Sequence, residues 1–249
     1  MGKLASLLLA KGVTVSGSDL SDNAMVRSLR EQGAQIEIGH RPENIKERCQ
    51  VVYSSAVREN NPEMTAARKH GCHIMKRAQL LADLMKEHFS ITVAGAHGKT
   101  TTTSMIAHML IHSGLDPTVA LGGVFQQGSY QENLGQSGYF VAELDESDGS
   151  FLFFSPKISV ITNIDFEHVD YYGDWKHILD AYAQFIRQTA QEGVVVACGD
   201  DDRLRCAVEE SGRAAVFYGL QDRHDFYARD IRYENGKTCF QCIRGHQDL

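Results

Sequence analysis

The sequence predicts an α/β protein built from two doubly wound, mostly parallel sheets that follow one another along 249 residues. Three observations predict it. Short apolar runs alternate with amphipathic stretches, and the connections between them are brief, the pattern of a parallel sheet with helices on its faces. A glycine-rich turn, Gly95 to Gly98, separates one apolar run from one helical pattern. An apolar content of 43% and a charged content of 23% suit a globular chain with a sizeable core.

In order, residues 3–11 read as a helix ended by Lys11-Gly12, and residues 13–17 as a strand. Residues 22–32 read as a helix stopped by Gly33, and Ile36–Ile38 and Val51–Ser55 as strands. Pro62 starts and Gly71 stops the next helix, since proline suits the first helical turn and glycine the residue beyond the last. Residues 74–87 read as one helix, which places a domain boundary near Glu87–His88 and gives domains 1–87 and 88–249. Beyond it, strands are expected at 90–95, 118–121, 139–143, 158–163, 194–198 and 214–218, and helices at 99–113, 175–190 and 201–210. Asn235-Gly236 between two alternating segments reads as a hairpin turn. The last residues, 244–249, suggest no closing element.

The charge balance excludes some functions. With 25 basic and 32 acidic residues the formal charge is −7, and no basic cluster stands out, so nucleic acid is not an expected partner. No apolar run approaches the ~20 residues needed to span a bilayer, so no membrane insertion is expected. Six cysteines are scattered, only Cys239 and Cys242 closely spaced, and all read as reduced thiols of a cytoplasmic protein.

The chemistry gathers at strand ends, where open parallel sheets bind ligands. Gly95, Ala96, His97, Gly98, Lys99, Thr100 and Thr101 follow a strand and open a helix. Such a loop lets backbone N–H groups surround a nucleotide's phosphates, with Lys99 reaching the outer phosphates and Thr100 ligating Mg²⁺. Val93 stands where the common phosphate loop has its first glycine, so an ordinary glycine turn with a helix cap remains the alternative. Glu143 ends the strand 139–143 and is the best carboxylate for Mg²⁺. Asp145, Glu146 and Asp148 are either ligands or a solvated loop, and Glu146 is expected to point away. His168, between Glu167 and Asp170, is either a core histidine or a ligand. His108 and His112 read as partly buried structural residues.

Several segments in order resemble the Mur ligase family: Gly95–Thr102, Ala142–Asp148, Thr162–Ile164 with Glu167, His168 and Asp170, and in the first domain Ser16–Asp19, His40–Asn44, Ser54–Ala56 and Arg77–Gln79. Ala96, Leu144 and Glu167 depart from the family's usual Thr, Ala and Asp. The resemblance implies a Rossmann-like N-terminal domain that binds a uridine-diphosphate sugar through Ser18, Asp19, His40, Ser54, Ser55 and Arg77. It implies a phosphate-loop, ATP-binding central domain, both domains incomplete, without the opening strand, the later part of the ATP domain or a third domain for the amino acid. It further implies ATP and Mg²⁺ as cofactors, Lys99, Glu143 and His168 as catalytic residues, and Thr100, Glu143 and His168 as metal ligands. The implied reaction joins the lactyl carboxylate of UDP-N-acetylmuramate to L-alanine through an acyl phosphate, in the bacterial cytoplasm. A ligase that adds a preformed tripeptide, an inactive nucleotide-binding fragment and an unrelated phosphate-loop hydrolase are the competing expectations.

Overall fold

The computed structural model describes residues 1–121, 135–245 and 247–248. Two compact units emerge, Met1–Asp83 and Leu84–Leu249.

The first unit alternates helix and strand: α1 (Gly2–Ala10), β1 (Ser16–Asp19), α2 (Ala24–Glu31), β2 (Gln35–Ile38), β3 (Gln50–Tyr53), α3 (Pro62–Lys69), β4 (His73–Lys76) and the start of α4 (Arg77–Met85). Local chemistry sets the boundaries. The Asn23 side chain accepts from the Val26 N–H to start α2, and Asn61 accepts from the Glu63 N–H to start α3 with Pro62 behind it. Gly33 and Gly71 follow these helices at positive φ, a conformation glycine adopts without a Cβ penalty.

Two expectations are corrected here. Residues 74–87 are not one helix: His73–Lys76 forms a strand paired in parallel with Gln50–Tyr53. Ladder bonds to β3 override local helix preference, and the Gln79 side chain then accepts the Lys76 N–H at 2.7 Å where α4 begins. The strand expected at 13–17 lies later, at Ser16–Asp19, where it pairs with β2. The four strands form two separate parallel pairs, β1–β2 and β3–β4.

The second unit holds a nine-stranded sheet of order β13-β12-β11-β10-β9-β8-β5-β7-β6. Its strands are β5 (Phe89–Ala94), β6 (Thr118–Ala120), β7 (Tyr139–Glu143), β8 (Ile158–Ile161), β9 (Val194–Cys198), β10 (Ala215–Gly219), β11 (Phe226–Glu234), β12 (Lys237–Arg244) and β13 (Gln247–Asp248). The run from β6 to β11 is parallel, and β11, β12 and β13 are antiparallel. β13 closes the sheet edge where no closing element was expected; its two backbone pairs with Ile243 and Arg244 are too short a signal to read from sequence. The hairpin turn at Asn235-Gly236 has both residues at positive φ, as a two-residue turn matched to strand twist requires.

The core of this unit forms where the central strands are apolar on both faces: Ile91, Val93, Val141 and Val160 are buried together, with Ile106 and Leu110 of α5 (Lys99–His112) packed on them. α7 (Trp175–Gln188) buries Ile178, Tyr182, Phe185 and Ile186, and the Phe151 ring meets Tyr182 edge-on and Phe185 at a tilt, each with ring centroids 5.2 Å away. Among the described residues no helix is long and apolar enough to cross a membrane.

α8 (Asp202–Ser211) is tied to the strand ends by one carboxylate. Asp201 accepts the Arg203 and Leu204 N–H groups with Oδ1 and the Ile164 N–H, at 2.8 Å, with Oδ2. Asp201→Ala should cost about 2 kcal/mol, a helix cap plus a stranded N–H, in urea unfolding; a loss within error of zero would refute that double role.

Candidate functional site

Parallel pairing puts the ends of three strands side by side. Val93 pairs with Glu143 on β7 and Val160 on β8, so the residues that follow all emerge at one edge. The loop Gly95–Gly98 leaves β5 there. Gly95 has φ +133°, and a Cβ on it would collide with the Thr162 hydroxyl, so close approach to the β8 end requires glycine. Gly98, at φ +79°, turns the chain into α5.

The β8 end clamps this loop. Asn163 accepts the His97 N–H at 2.8 Å and donates from Nδ2 to the His97 carbonyl at 3.0 Å. Thr162 Oγ1 donates to the same carbonyl at 2.7 Å, and the Ala96 N–H donates to the Asn163 carbonyl. His97 Nε2 lies 3.3 Å from Asp165 and 3.7 Å from Glu167. The Phe166 N–H, and behind it His97, hold the Asp165 carboxyl below the usual range.

At the start of α5, Thr100 Oγ1 lies 2.9 and 3.0 Å from the two carboxylate oxygens of Glu143. Lys99 Nζ donates to the Gly95 and Ala96 carbonyls at 2.6 and 3.1 Å and to Glu146 Oε1 at 2.8 Å. Glu146 is the residue that sequence reasoning set aside. Only 4% of it is exposed, because the chain turns inward after Leu144, and the Tyr172 hydroxyl holds the Glu146 carbonyl at 2.5 Å. Burial pushes its carboxyl above the usual range, opposed by the Lys99 ammonium. Its second oxygen, Oε2, is buried without a hydrogen-bond partner.

His168 is no core histidine. Its imidazole is partly exposed, its backbone sits at φ +56°, and Nε2 lies 3.6 Å from Glu146 Oε1. Glu146, Glu167 and His168 each offer a ligand atom within 4.8 Å of the others. Thr101 is exposed on the first turn of α5. His108 and His112, expected to be partly buried, are both exposed, their rings 3.8 Å apart. They point away from the sheet because Ile106, Ala107 and Leu110 take its inner face.

In the first unit, Ser18 and Asp19 end β1, His40 follows β2, Ser54 and Ser55 follow β3, and Arg77 follows β4. The structure joins Ser18 and His40 through a residue not singled out, Glu63. Its Oε2 accepts from Ser18 Oγ at 2.7 Å and lies 3.1 Å from His40 Nδ1, while Oε1 accepts from Asn44 Nδ2 at 2.6 Å. Ser54, Ser55 and Arg77 do not enter that network in the bonds observed.

A profile described as the Mur ligase middle domain matches residues 93–247, and one described as Mur ligase family, catalytic domain, matches residues 1–89. The chain belongs to the Mur ligase family. It is 41% identical over 245 residues to UDP-N-acetylmuramate--L-alanine ligase of Dechloromonas aromatica, covering 98% of this chain and 53% of that relative. This Mur ligase chain thus spans about half the length of the curated relatives it matches. Among solved structures it is similar to UDP-N-acetylmuramate:L-alanyl-gamma-D-glutamyl-meso-diaminopimelate ligase from Neisseria meningitides, with a TM-score of 0.84, 26% identity, and coverage of 100% and 82% of the two chains. It is likewise similar to UDP-N-acetylmuramate-alanine ligase from Thermotoga maritima, with a TM-score of 0.77, 28% identity, and coverage of 99% and 56%.

The buried Lys99–Glu146 pair of this Mur ligase predicts strong coupling. Lys99→Met leaves a buried carboxylate without its ammonium partner, only His168 remaining 3.6 Å away, and should cost roughly 3 kcal/mol in denaturant unfolding, while Lys99→Met with Glu146→Gln should recover most of it. Simple additivity of the two changes would disprove the coupling. The pH dependence has a definite sign. The folded state holds the Glu146 proton more tightly than the unfolded chain, so this group's stability contribution falls as pH rises above its ordinary 4.5. Glu146→Gln should flatten that part of the stability–pH curve.

Proposed function

We propose that this chain carries the nucleotide sites of an ADP-forming, cytoplasmic ligase that joins the lactyl carboxylate of UDP-N-acetylmuramate to L-alanine in building peptidoglycan. Residues 1–87 take the uridine-diphosphate sugar and residues 88–249 take ATP. The observation that carries this reading is the clamped glycine loop, with Lys99 and Thr100 at the start of α5 facing Glu143 and Glu146.

The donor set fits Mg²⁺. Thr100 and Glu143 present hard oxygens side by side, Glu146, Glu167 and His168 each offer a ligand atom to a second group, and Glu146 keeps one buried oxygen, Oε2, without a hydrogen-bond partner. Thr100 and Glu143 would hold one ion and His168 a second. Such ions supply charge neutralisation at phosphate oxygens.

A free carboxylate is a poor electrophile, so amide formation needs activation. Phosphoryl transfer from ATP makes the acyl phosphate, and attack by the amine expels phosphate through a tetrahedral intermediate. The chain's task is to place groups and offset charge. The N-terminal N–H groups of α5 face the phosphates. Lys99 releases the Gly95 and Ala96 carbonyls and Glu146 to meet the γ-phosphate. Asn163 and Thr162 keep the loop from opening. In the first domain Ser18, Asp19, His40, Ser54, Ser55 and Arg77 contact the uridine diphosphate or its sugar, with Glu63 fixing the Ser18 and His40 side chains.

Addition of a preformed tripeptide is the second reading, favoured by the TM-score of 0.84 to the Neisseria ligase. Against it, identity to alanine-adding relatives is 41% to 44%, well above the 26% to that structure. Competition of L-alanine with tripeptide in the whole enzyme separates the two. For the chain itself, Lys99→Ala should weaken Mg²⁺-ATP binding at least tenfold, about 1.4 kcal/mol or more, and leave uridine-diphosphate binding unchanged in calorimetry. In the whole enzyme, phosphate release should need ATP, UDP-N-acetylmuramate and L-alanine together. Release without the sugar nucleotide would mark a hydrolase instead.

A further inference from the structure

The first unit places two cysteines together that lie far apart in sequence. The β3–β4 ladder begins by pairing Gln50 with His73, and Cys49 and Cys72 stand immediately before the two strands. Their sulfurs are 3.5 Å apart, and Cys72 Sγ also lies 3.6 Å from the Lys46 carbonyl. Neighbouring strands run about 5 Å apart, within the Cα separation that a disulfide spans without moving the backbone. Both residues are half-buried, so a small reagent has access while the surrounding chain holds the pair in place.

The closely spaced pair in the sequence is a poorer candidate. Cys239 and Cys242 are three residues apart on one strand, β12, and so face opposite sides of it. Cys198 follows β9's apolar run and Cys206 lies on α8, on different elements.

We propose that Cys49 and Cys72 form a reversible dithiol–disulfide site, a redox-responsive staple at the base of β3 and β4. The oxidant is a low-molecular-weight disulfide. One cysteine thiolate attacks a sulfur of that disulfide, giving a mixed disulfide and expelling one small thiol. The second cysteine, as its thiolate, attacks the protein-side sulfur and expels the other small thiol. Two protein thiols are oxidised to one disulfide, one small disulfide is reduced to two thiols, and the two protons pass to the departing thiolates.

The staple's consequence follows from where it sits. It closes the segment that holds α3 and Glu63, restricting the unfolded chain more than the folded one. Ser54, Ser55 and Arg77 lie at the opposite ends of the same strands, so the bridge does not cross them. Burial and the neighbouring Cys72 thiol hold the Cys49 thiol above its usual pKa, which favours a slow, condition-dependent closure over constant oxidation.

The test treats the purified chain with glutathione disulfide under native conditions, followed by trypsin without reductant and mass spectrometry. The expected product links peptide 49–58 to peptide 70–76, with a mass lower by two hydrogens, and dithiothreitol separates them. Cys49→Ser should leave Cys72 carrying a single glutathione, and Cys72→Ser the reverse. The linked protein should melt at a higher temperature than its reduced form. Recovery of the two peptides unlinked, a link to any other cysteine, or a linked protein that melts lower overturns the proposal.

Discussion

The parallel register of β5 with β7 on one side and β8 on the other is the constraint on which the rest of the second unit depends. It fixes, to within a residue, which side chains leave the sheet together. Glu143 stands beside Val93, and Thr162 and Asn163 follow directly after β8, so a glycine loop leaving β5 meets a carboxylate on one flank and a hydrogen-bonding clamp on the other. A slip of one residue would turn Glu143 into the core and an apolar residue toward the loop, since strand side chains alternate. The buried valines and isoleucines that hold the register are therefore as necessary to the site as the polar groups.

What the sequence revealed, and what it hid, divides along the distance over which each feature is determined. The glycine loop, Lys99, Thr100 and the strand-end Glu143 are set by contiguous residues, and so are the helix boundaries at Gly33, Pro62 and Gly71. Alternation along β7 points Glu146 away from the loop, but the strand ends at Glu143 and the chain enters a turn, where Tyr172, 26 residues on, bonds the Glu146 carbonyl. Glu63 was missed because its partner Ser18 is 45 residues away and no local pattern joins them. The four-residue strand β4 was absorbed into a helix because four residues carry too little periodicity to oppose the helical stretch beyond; pairing with β3 decided it. The Thr162–Asn163 clamp was present in the sequence as a strand end, and parallel strand order was the missing information.

The Lys99–Glu146 pair also illustrates how a charged side chain beside a loop is held in place. A lysine beside a glycine loop has several rotamers open to it, and fixing it has an entropic cost. Two loop carbonyls and a buried carboxylate supply three acceptors for its three protons, so the ammonium is fully hydrogen-bonded. Any group that takes Lys99 from this set has to replace all three acceptors, one of them a carboxylate.

His168 adds a matter of backbone strain. A non-glycine residue at φ +56° is held in a left-handed conformation that costs about 1–2 kcal/mol. The short helix that begins at Val169 follows directly on it, so the cost falls on folding. Glycine at this position would relieve the backbone but remove the ring that stands 3.6 Å from Glu146, so local stability and the side chain pull in opposite directions at this one residue.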